Sequence, residues 1–384
     1  MALALENIKI LTVEEKLPVT YCSMLLGDLG ADVIILEQPG VGNPARVLPH
    51  FLEITNRNKR SITVNLKSGR GKEVFHRLAK NCDVIIECMR PGVVKRLGID
   101  YETIRSINPG IVYCSVSGYG QDGPYWDWPA HDLSYQGIAG MLDLAPRDGE
   151  GIPQPSGVAI ADLSAGMFAA ISILSALLAR DRLGFGQYID VSMTDGLVSW
   201  LSVELGQYFA AGMLPRQGGR GFEAATGVFA TRDGKYLTLS IAHENYFWSN
   251  LCHAIGEAEL ADMPREQRWQ RRNELRATLK KALLSKTRDE WVKILTEADV
   301  PCGPVLSLKE VVCDAHLRHR GMFPEVEKIN GEKVKQVAYP AKFSETQPQI
   351  RRLPPALGEH TQEILDWLGY APEEIEELRQ KGDV

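Results

Sequence analysis

Gly30-Ala-Asp-Val-Ile-Ile-Leu-Glu37 decides the fold, because it has the composition of a dinucleotide fingerprint in the wrong order. In a true fingerprint the glycines lie between a strand and the helix that follows, where backbone N–H groups meet a pyrophosphate. Here Thr20–Leu29 reads as an amphipathic helix, Gly30 as its C-cap and Val33–Leu36 as a short buried strand. The stretch is the helix-to-strand half of a βαβ unit, and no nicotinamide site follows from it. The pattern continues on both sides. Ile8–Val13 reads as a strand, Lys72–Lys80 as a helix, and Val84–Glu87 and Ile111–Val116 as strands. Such alternation predicts a mostly parallel sheet covered by helices, an α/β fold.

Further along, residues 163–180 form a helical run that is apolar on nearly all sides and rich in small residues. This suits a deep interior position or a subunit contact. Leu183-Gly-Phe-Gly-Gln-Tyr-Ile-Asp-Val-Ser-Met193 reads as a turn leading into a strand. A Gly-rich connection spans 216–227, and Gly227–Thr231 and Lys235–Ser240 flank the hairpin turn Asp233-Gly234. Residues 245–300 are charged and helical, 340–355 irregular, and two helices finish the chain at Glu359–Leu368 and Pro372–Gln380.

At 384 residues the chain exceeds one simple core and predicts two domains or one elaborated one. A net charge of −6 argues against nucleic acid as the main partner but allows a local basic site for a phosphorylated ligand. No basic leader precedes a long apolar run, and no stretch approaches about 18 uninterrupted apolar residues, so neither secretion nor membrane insertion is expected. Seven cysteines without a CxxC pair predict a reduced, cytoplasmic, metal-free protein, and eight histidines show no HxxxH or HExxH spacing.

Two segments carry chemistry. In Ile160-Ala-Asp-Leu-Ser-Ala-Gly166 the acid Asp162 follows an apolar run and has small neighbours. As an N-cap it would accept backbone N–H bonds; as a nucleophile it would attack an acyl carbon, and one position can serve both. In Trp128-Pro-Ala-His-Asp-Leu-Ser-Tyr-Gln136, His131 and Asp132 form an acid–base pair in an aromatic loop, with Asp132 placed to cap a helix starting near Leu133. A partly buried, inert loop histidine is the plainer reading. The basic cluster Asn56-Arg-Asn-Lys-Arg60, with Arg46, Lys67, Arg90, Lys95 and Arg96, reads either as solvated charge or as a site for several phosphates at the strand ends.

Those residues, with Leu26-Gly-Asp-Leu-Gly-Ala-Asp-Val33, Asn58-Lys-Arg-Ser-Ile62, Arg90-Pro-Gly-Val93, Ser117-Gly-Tyr-Gly120, Gly186-Gln-Tyr-Ile-Asp-Val-Ser-Met193 and Leu357-Gly-Glu-His-Thr361, resemble the family III CoA-transferases. This CaiB/BaiF family also includes the α-methylacyl-CoA racemases. The resemblance implies a Rossmann-like large domain, 1–215 completed by 326–384, a linker at 216–224 and a smaller α+β domain at 225–325. It also implies an interlocked homodimer. Coenzyme A enters as a thioester substrate together with a carboxylic acid, and no tightly bound cofactor or metal is expected. Asp162 falls on the family's catalytic Asp. Arg46, Lys67, Arg90 and Arg96 are placed near the CoA phosphates. His131, Asp132 and Tyr135 line the acyl site, with Gln136 and Gly166 shaping its walls.

Three readings fit the resemblance. In a transferase Asp162 forms an acyl anhydride and then a CoA thioester; in a racemase it shares α-proton transfer with His131. His131-Asp-Leu-Ser-Tyr135 matches the racemase pattern. Ala161-Asp-Leu-Ser-Ala-Gly166 in place of Gly-Asp-Phe-Gly-Gly-Gly, Glu223-Ala-Ala-Thr-Gly227 in place of Gly-Gly-x-Pro, and His243-Glu244 in place of Glu-Pro favour the transferase. The transferases' glycine-run loop has only the offset Gly218-Gly-Arg-Gly221 as a counterpart. A silent subunit of a heteromer is the third reading, and the retained Asp162 points away from it.

Overall fold

The computed structural model describes residues 2–13, 16–214, 223–328 and 331–384. Six strands, β1 (Lys9–Val13), β2 (Asp32–Glu37), β3 (Lys59–Thr63), β4 (Val84–Glu87), β5 (Val112–Ser117) and β6 (Tyr188–Ser192), form one sheet in the order 3-2-1-4-5-6. Every pairing is parallel. This is the order of a doubly wound Rossmann sheet, in which the winding reverses between β1 and β4 and opens a crevice at their C-terminal ends.

Alternate strand residues feed two cores. Ile10, Val33, Val84, Ile86, Val112 and Cys114 face the helices Leu17–Asp28 and Ile160–Leu183. Leu11, Ile34, Ile62, Ile85 and Tyr113 face the helices Gly69–Lys80, Thr361–Trp367 and Pro372–Gln380. The period of two is the pleat, and a sheet covered on both faces gives the near-continuous apolar runs read in the sequence. The chain's last two helices thus complete a layer begun by its first 80 residues.

The structure departs from the sequence reading in three places. The helix Leu17–Asp28 is not amphipathic, because it packs against Ile160–Leu183 as well as the sheet, and Val19, Cys22, Ser23, Leu26 and Asp28 are all buried. Strand β3 went unread because it opens on Lys59 and Arg60, yet both are buried. Arg57 makes a two-pronged pair with Asp28 (Nε–Oδ1 3.0 Å, Nη2–Oδ2 2.6 Å), Lys59 donates to the Thr20 carbonyl and Asn56, and Arg60 pairs with Asp32 and Glu363. The Asn56–Arg60 cluster is therefore internal mortar, neither solvated charge nor a phosphate site. Finally, the helix Ile160–Leu183 has an 18-residue window of mean hydropathy 1.8, long and apolar enough to cross a membrane by length and composition, with half of that window buried in the fold. Interruption by Ser and Gly hid this from a search for unbroken apolar runs.

The chain divides into two compact units: Met1–Asp143, Pro153–Pro215 and Arg320–Val384 in one, Leu144–Ile152 and Arg216–His319 in the other. In the second, β7 (Thr226–Ala230), β8 (Tyr236–Ser240) and β9 (Cys302–Pro304) form an antiparallel sheet, with the hairpin at Asp233-Gly234. Phe229, Leu237, Leu239, Trp248 and Trp291 build its core. Residues 144–152, which the sequence reading gave to the large domain, cluster with this unit, and 320–325 cluster with the first. Gly218–Gly221, and with it most of the 216–224 connection, lies outside the described residues.

Candidate active site

The crevice between β1 and β4 is occupied by a cavity of about 380 Å³, within the first unit. Lys16 reaches it from beyond β1, Cys88–Pro91 from the end of β4, and Val116–Tyr119 from the end of β5. The loop Trp126–His131, Tyr135 and Asp162 close it. Lys16 and Asp162 stand at helix starts and Cys88–Arg90 and Ser117–Tyr119 at strand ends, where a doubly wound sheet presents its ligand site.

Asp162 is the third residue of its helix, whose N-cap is Ala159, so it does not cap the helix. The capping role falls to Asp132, 29 residues before Ala161. Its Oδ1 accepts from the Ala161 backbone N–H at 2.7 Å, and its Oδ2 accepts from Gln136 Nε2 at 2.5 Å. A helix start leaves backbone donors without intrahelical partners, and an outside carboxylate satisfies one of them. Asp132 is thereby held one residue from Asp162. Burial raises the Asp162 carboxyl to about 6, the Asp132 charge adds to the rise, and His131, a backbone hydrogen bond and Lys16 pull it back.

His131 occupies the N-cap of the helix Asp132–Ile138 without a side-chain cap bond; it is exposed and lines the cavity. Tyr135 contributes its ring. Its hydroxyl donates to the Ala130 carbonyl at 2.9 Å, and burial pushes its pKa up to about 12, so it stays protonated at neutral pH. A Cβ on Gly118 would lie 2.4 Å from Tyr135 Cε1, so glycine is what lets the ring sit flat on β5's end. Tyr119 meets Tyr135 edge-on at 5.2 Å, and Tyr125 stacks on Trp128 at 4.1 Å, which makes one wall aromatic.

Other expected residues fall elsewhere. Gln136 is buried behind the cavity holding Asp132, and is not a wall. Gly166 is likewise not a wall: a Cβ there would lie 2.8 Å from the Pro18 carbonyl oxygen, which marks it as the close-approach point of two crossing helices. Arg90 lines the Asp162 cavity. Lys67 lines a second cavity of about 430 Å³ beside it, formed at the ends of β2 and β3 and sharing Met89 with the first. Arg46 is committed to Glu37, with Nε–Oε1 2.7 Å and Nη2–Oε2 2.6 Å, and to the Pro355 carbonyl. Arg96 stands exposed on the helix Val93–Leu97, outside both linings. Lys16 was missed, although its place three residues after β1, at the switch point, was the available signal. No group of three or more His, Cys, Asp or Glu side chains suited to a metal occurs among the described residues.

A parallel 3-2-1-4-5-6 sheet with adjoining cavities at its strand ends, one lined by a half-buried carboxylate, defines a doubly wound protein with its candidate site at the switch point. Residues 5–361 match the model of CoA-transferase family III, and the chain belongs to that family. It is 33% identical to succinyl-CoA:glutarate CoA-transferase of Mus musculus, over 98% of this chain and 89% of that one. It is 32% identical to formyl-CoA:oxalate CoA-transferase of Escherichia coli, over 99% of both. The crystal structure of a CaiB/BaiF family protein from Brucella suis is similar with a TM-score of 0.85 at 30% identity, covering 96% of this chain and 100% of that one.

Proposed function

We propose that the protein transfers coenzyme A from an acyl-CoA to a carboxylic acid, with Asp162 as nucleophile. The observation that carries this reading is a carboxylate raised to about 6 inside a cavity at the sheet's switch point, in a chain of CoA-transferase family III. At pH 7 about nine-tenths of it is ionised, and poor solvation of the anion favours attack on a carbonyl. An Asp162 oxygen attacks the thioester carbonyl, the C–S bond breaks, and an aspartyl–acyl anhydride forms beside the CoA thiolate. The thiolate attacks the Asp162 carbonyl and expels the donor acid, leaving an aspartyl-CoA thioester. The acceptor carboxylate attacks that thioester and releases the thiolate. The thiolate then takes the acceptor's acyl carbon and returns Asp162.

The paired cavities suit such a substrate: the acyl end beside Asp162 and Arg90, the nucleotide end in the Lys67 cavity. Arg96, on the helix whose Val93 and Leu97 line the Lys67 cavity, and Arg46, once released from Glu37, are the further cations for CoA phosphates. His131 faces the acyl group. A homodimer, interlocked as in the family, is part of this proposal. Met167, Ile171 and Leu178 form an exposed apolar stripe on the helix Ile160–Leu183, and Val203 and Phe209 are exposed on the helix Ser202–Ala211.

The test is to incubate the protein with acyl-CoA donors, including a 2-methylacyl-CoA, and a panel of free acids in heavy water. The expected products are the acids' CoA thioesters without deuterium at the α-carbon. Deuterium at the α-carbon with no exchange of acids would make the protein a racemase.

A further inference from the structure

The motif Leu357-Gly-Glu-His-Thr361 carries no step of the proposed reaction, yet it is bonded to the open edge of the sheet. β3 stands at the end of the strand order, so its outer N–H and C=O groups have no strand to pair with. The His360 N–H donates to the Ser61 carbonyl at 2.9 Å, the Ser61 N–H to His360 Nδ1 at 3.3 Å, and the Thr63 N–H to Thr361 Oγ1 at 3.2 Å. The Gly358 N–H reaches the side chain instead, donating to Ser61 Oγ at 2.9 Å. Gly358 has a φ of 65°, and a Cβ there would lie 3.1 Å from Thr361 Oγ1, so the turn requires glycine.

Ser61 passes the contact on, because its hydroxyl donates to Glu37 Oε2 at 2.5 Å. Glu37 is buried, stands last in β2 and lines the Lys67 cavity. Its other donors are the Asn43 N–H at 2.9 Å and Arg46, through Nε at 2.7 Å and Nη2 at 2.6 Å. A carboxylate has about four lone-pair sites, and these donors fill them. Glu37 therefore acts on its own chain. Asn43 and Arg46 belong to the loop whose Gln38, Val41, Gly42 and Asn43 form one wall of the Lys67 cavity. Leu357 backs the same loop, since a Cβ on Gly42 would lie 3.2 Å from Leu357 Cδ1. When Arg46 leaves Glu37 for a phosphate, Ser61 Oγ and the Asn43 N–H stay on the carboxylate. Without the Ser61 hydroxyl only the Asn43 N–H would remain, and a buried carboxylate short of donors is costly. Arg46 is then retained by Glu37, and the wall loses its anchor to β3.

We propose that Ser61 is a positioning residue for the nucleotide end of the acyl-CoA, acting through Glu37 on the cavity wall and on Arg46, with Leu357–Thr361 as the clamp that holds Ser61. The proposal rests on the part of the proposed function that places coenzyme A in the Lys67 cavity. Ser61 is fully buried, so it acts without touching the substrate.

The experiment measures coenzyme A binding by calorimetry, and kcat with separate KM values for acyl-CoA and acceptor acid, for wild type, Ser61→Ala and Leu357→Ala. Loss of one charge-assisted hydrogen bond to Glu37 predicts a rise of about tenfold in the Kd for coenzyme A in Ser61→Ala, matched by the KM for acyl-CoA. The kcat and the KM for the acid stay within about twofold, because Asp162 and its cavity keep their contacts. Leu357 is only partly buried, and Leu357→Ala raises the Kd in the same direction; its value decides the matter where Ser61→Ala does not fold. A lower melting temperature with a wild-type Kd for coenzyme A overturns the proposal and leaves a merely structural role. A fall in kcat with both KM values unchanged overturns it too. No exchange of any acid by wild type sinks the transferase reading, while the Kd comparison still decides the role of Ser61. Wild type that does not bind coenzyme A overturns both.

Discussion

Asp132 Oδ1 lies 2.7 Å from the backbone nitrogen of Ala161, so the acid beside the candidate histidine caps the helix that carries Asp162. Removing it has two separable consequences. Asp132→Ala leaves a helix-start donor unmet and costs about 1 kcal/mol, read as a lower urea midpoint. It also removes a negative charge that raises Asp162, so the acid limb of kcat/KM moves below pH 6. Asp132→Asn keeps an acceptor oxygen, and shows the pH shift with less loss of stability.

In the proposed transferase reaction Asp162 attacks as an anion. With its carboxyl at about 6, kcat/KM is flat above that pH and falls tenfold per pH unit below it. Replacing His131, as in His131→Gln, moves the limb upward, because His131 is one of the groups that lower Asp162. A pH–rate profile from 4.5 to 8.5 reads both shifts.

The same carboxyl is a cost to the fold when ionised. Its folded value of about 6 exceeds its ordinary 3.8, so its stabilising contribution is complete below 3.8 and lost as pH rises through 6. Asp162→Asn removes that loss, and the variant is expected to be more stable than wild type at pH 7 by up to about 3 kcal/mol. The difference vanishes below about pH 4. Thermal melts across pH check the sign.

Asp28 and Arg57 are each 1% exposed and joined at 2.6 Å. Breaking the pair by Asp28→Ala strands a buried guanidinium and costs about 3–5 kcal/mol. Calorimetry of CoA binding on the folded fraction should return the wild-type Kd, because this part of the basic cluster holds structure rather than ligand.

Gly118 and Tyr135 interlock in one wall of the cavity. Gly118→Ala puts a methyl 2.4 Å from the ring and forces it out of the wall, so kcat/KM for acyl exchange falls with little change in CoA affinity. Gly166→Ala acts at the helix crossing instead, and lowers the melting temperature while sparing the kinetics of molecules that remain folded.

What the sequence made legible was what local pattern controls. β2 was readable because Val33–Leu36 is a short apolar run bounded by a helix stop, and the hairpin because Asp233-Gly234 has one turn chemistry. β3 was hidden because the partners that neutralise Arg57 and Arg60 lie 29, 28 and 303 positions away, at Asp28, Asp32 and Glu363. The helix Ile160–Leu183 begins three residues before its apolar run, which turns Asp162 from an apparent cap into a side chain of the first turn. The capping contact of Asp132 spans 29 residues and leaves no trace in spacing. Lys16 is one unremarked lysine until the sheet order puts its loop at the switch point.

The most direct test of the central claim is the intact mass of the protein after brief incubation with an acyl-CoA, with and without borohydride, for wild type and Asp162→Asn. The account predicts a CoA-sized adduct on wild type that maps to Asp162, disappears on borohydride treatment and is absent from Asp162→Asn. CoA exchange without that adduct, or the same adduct on Asp162→Asn, contradicts it.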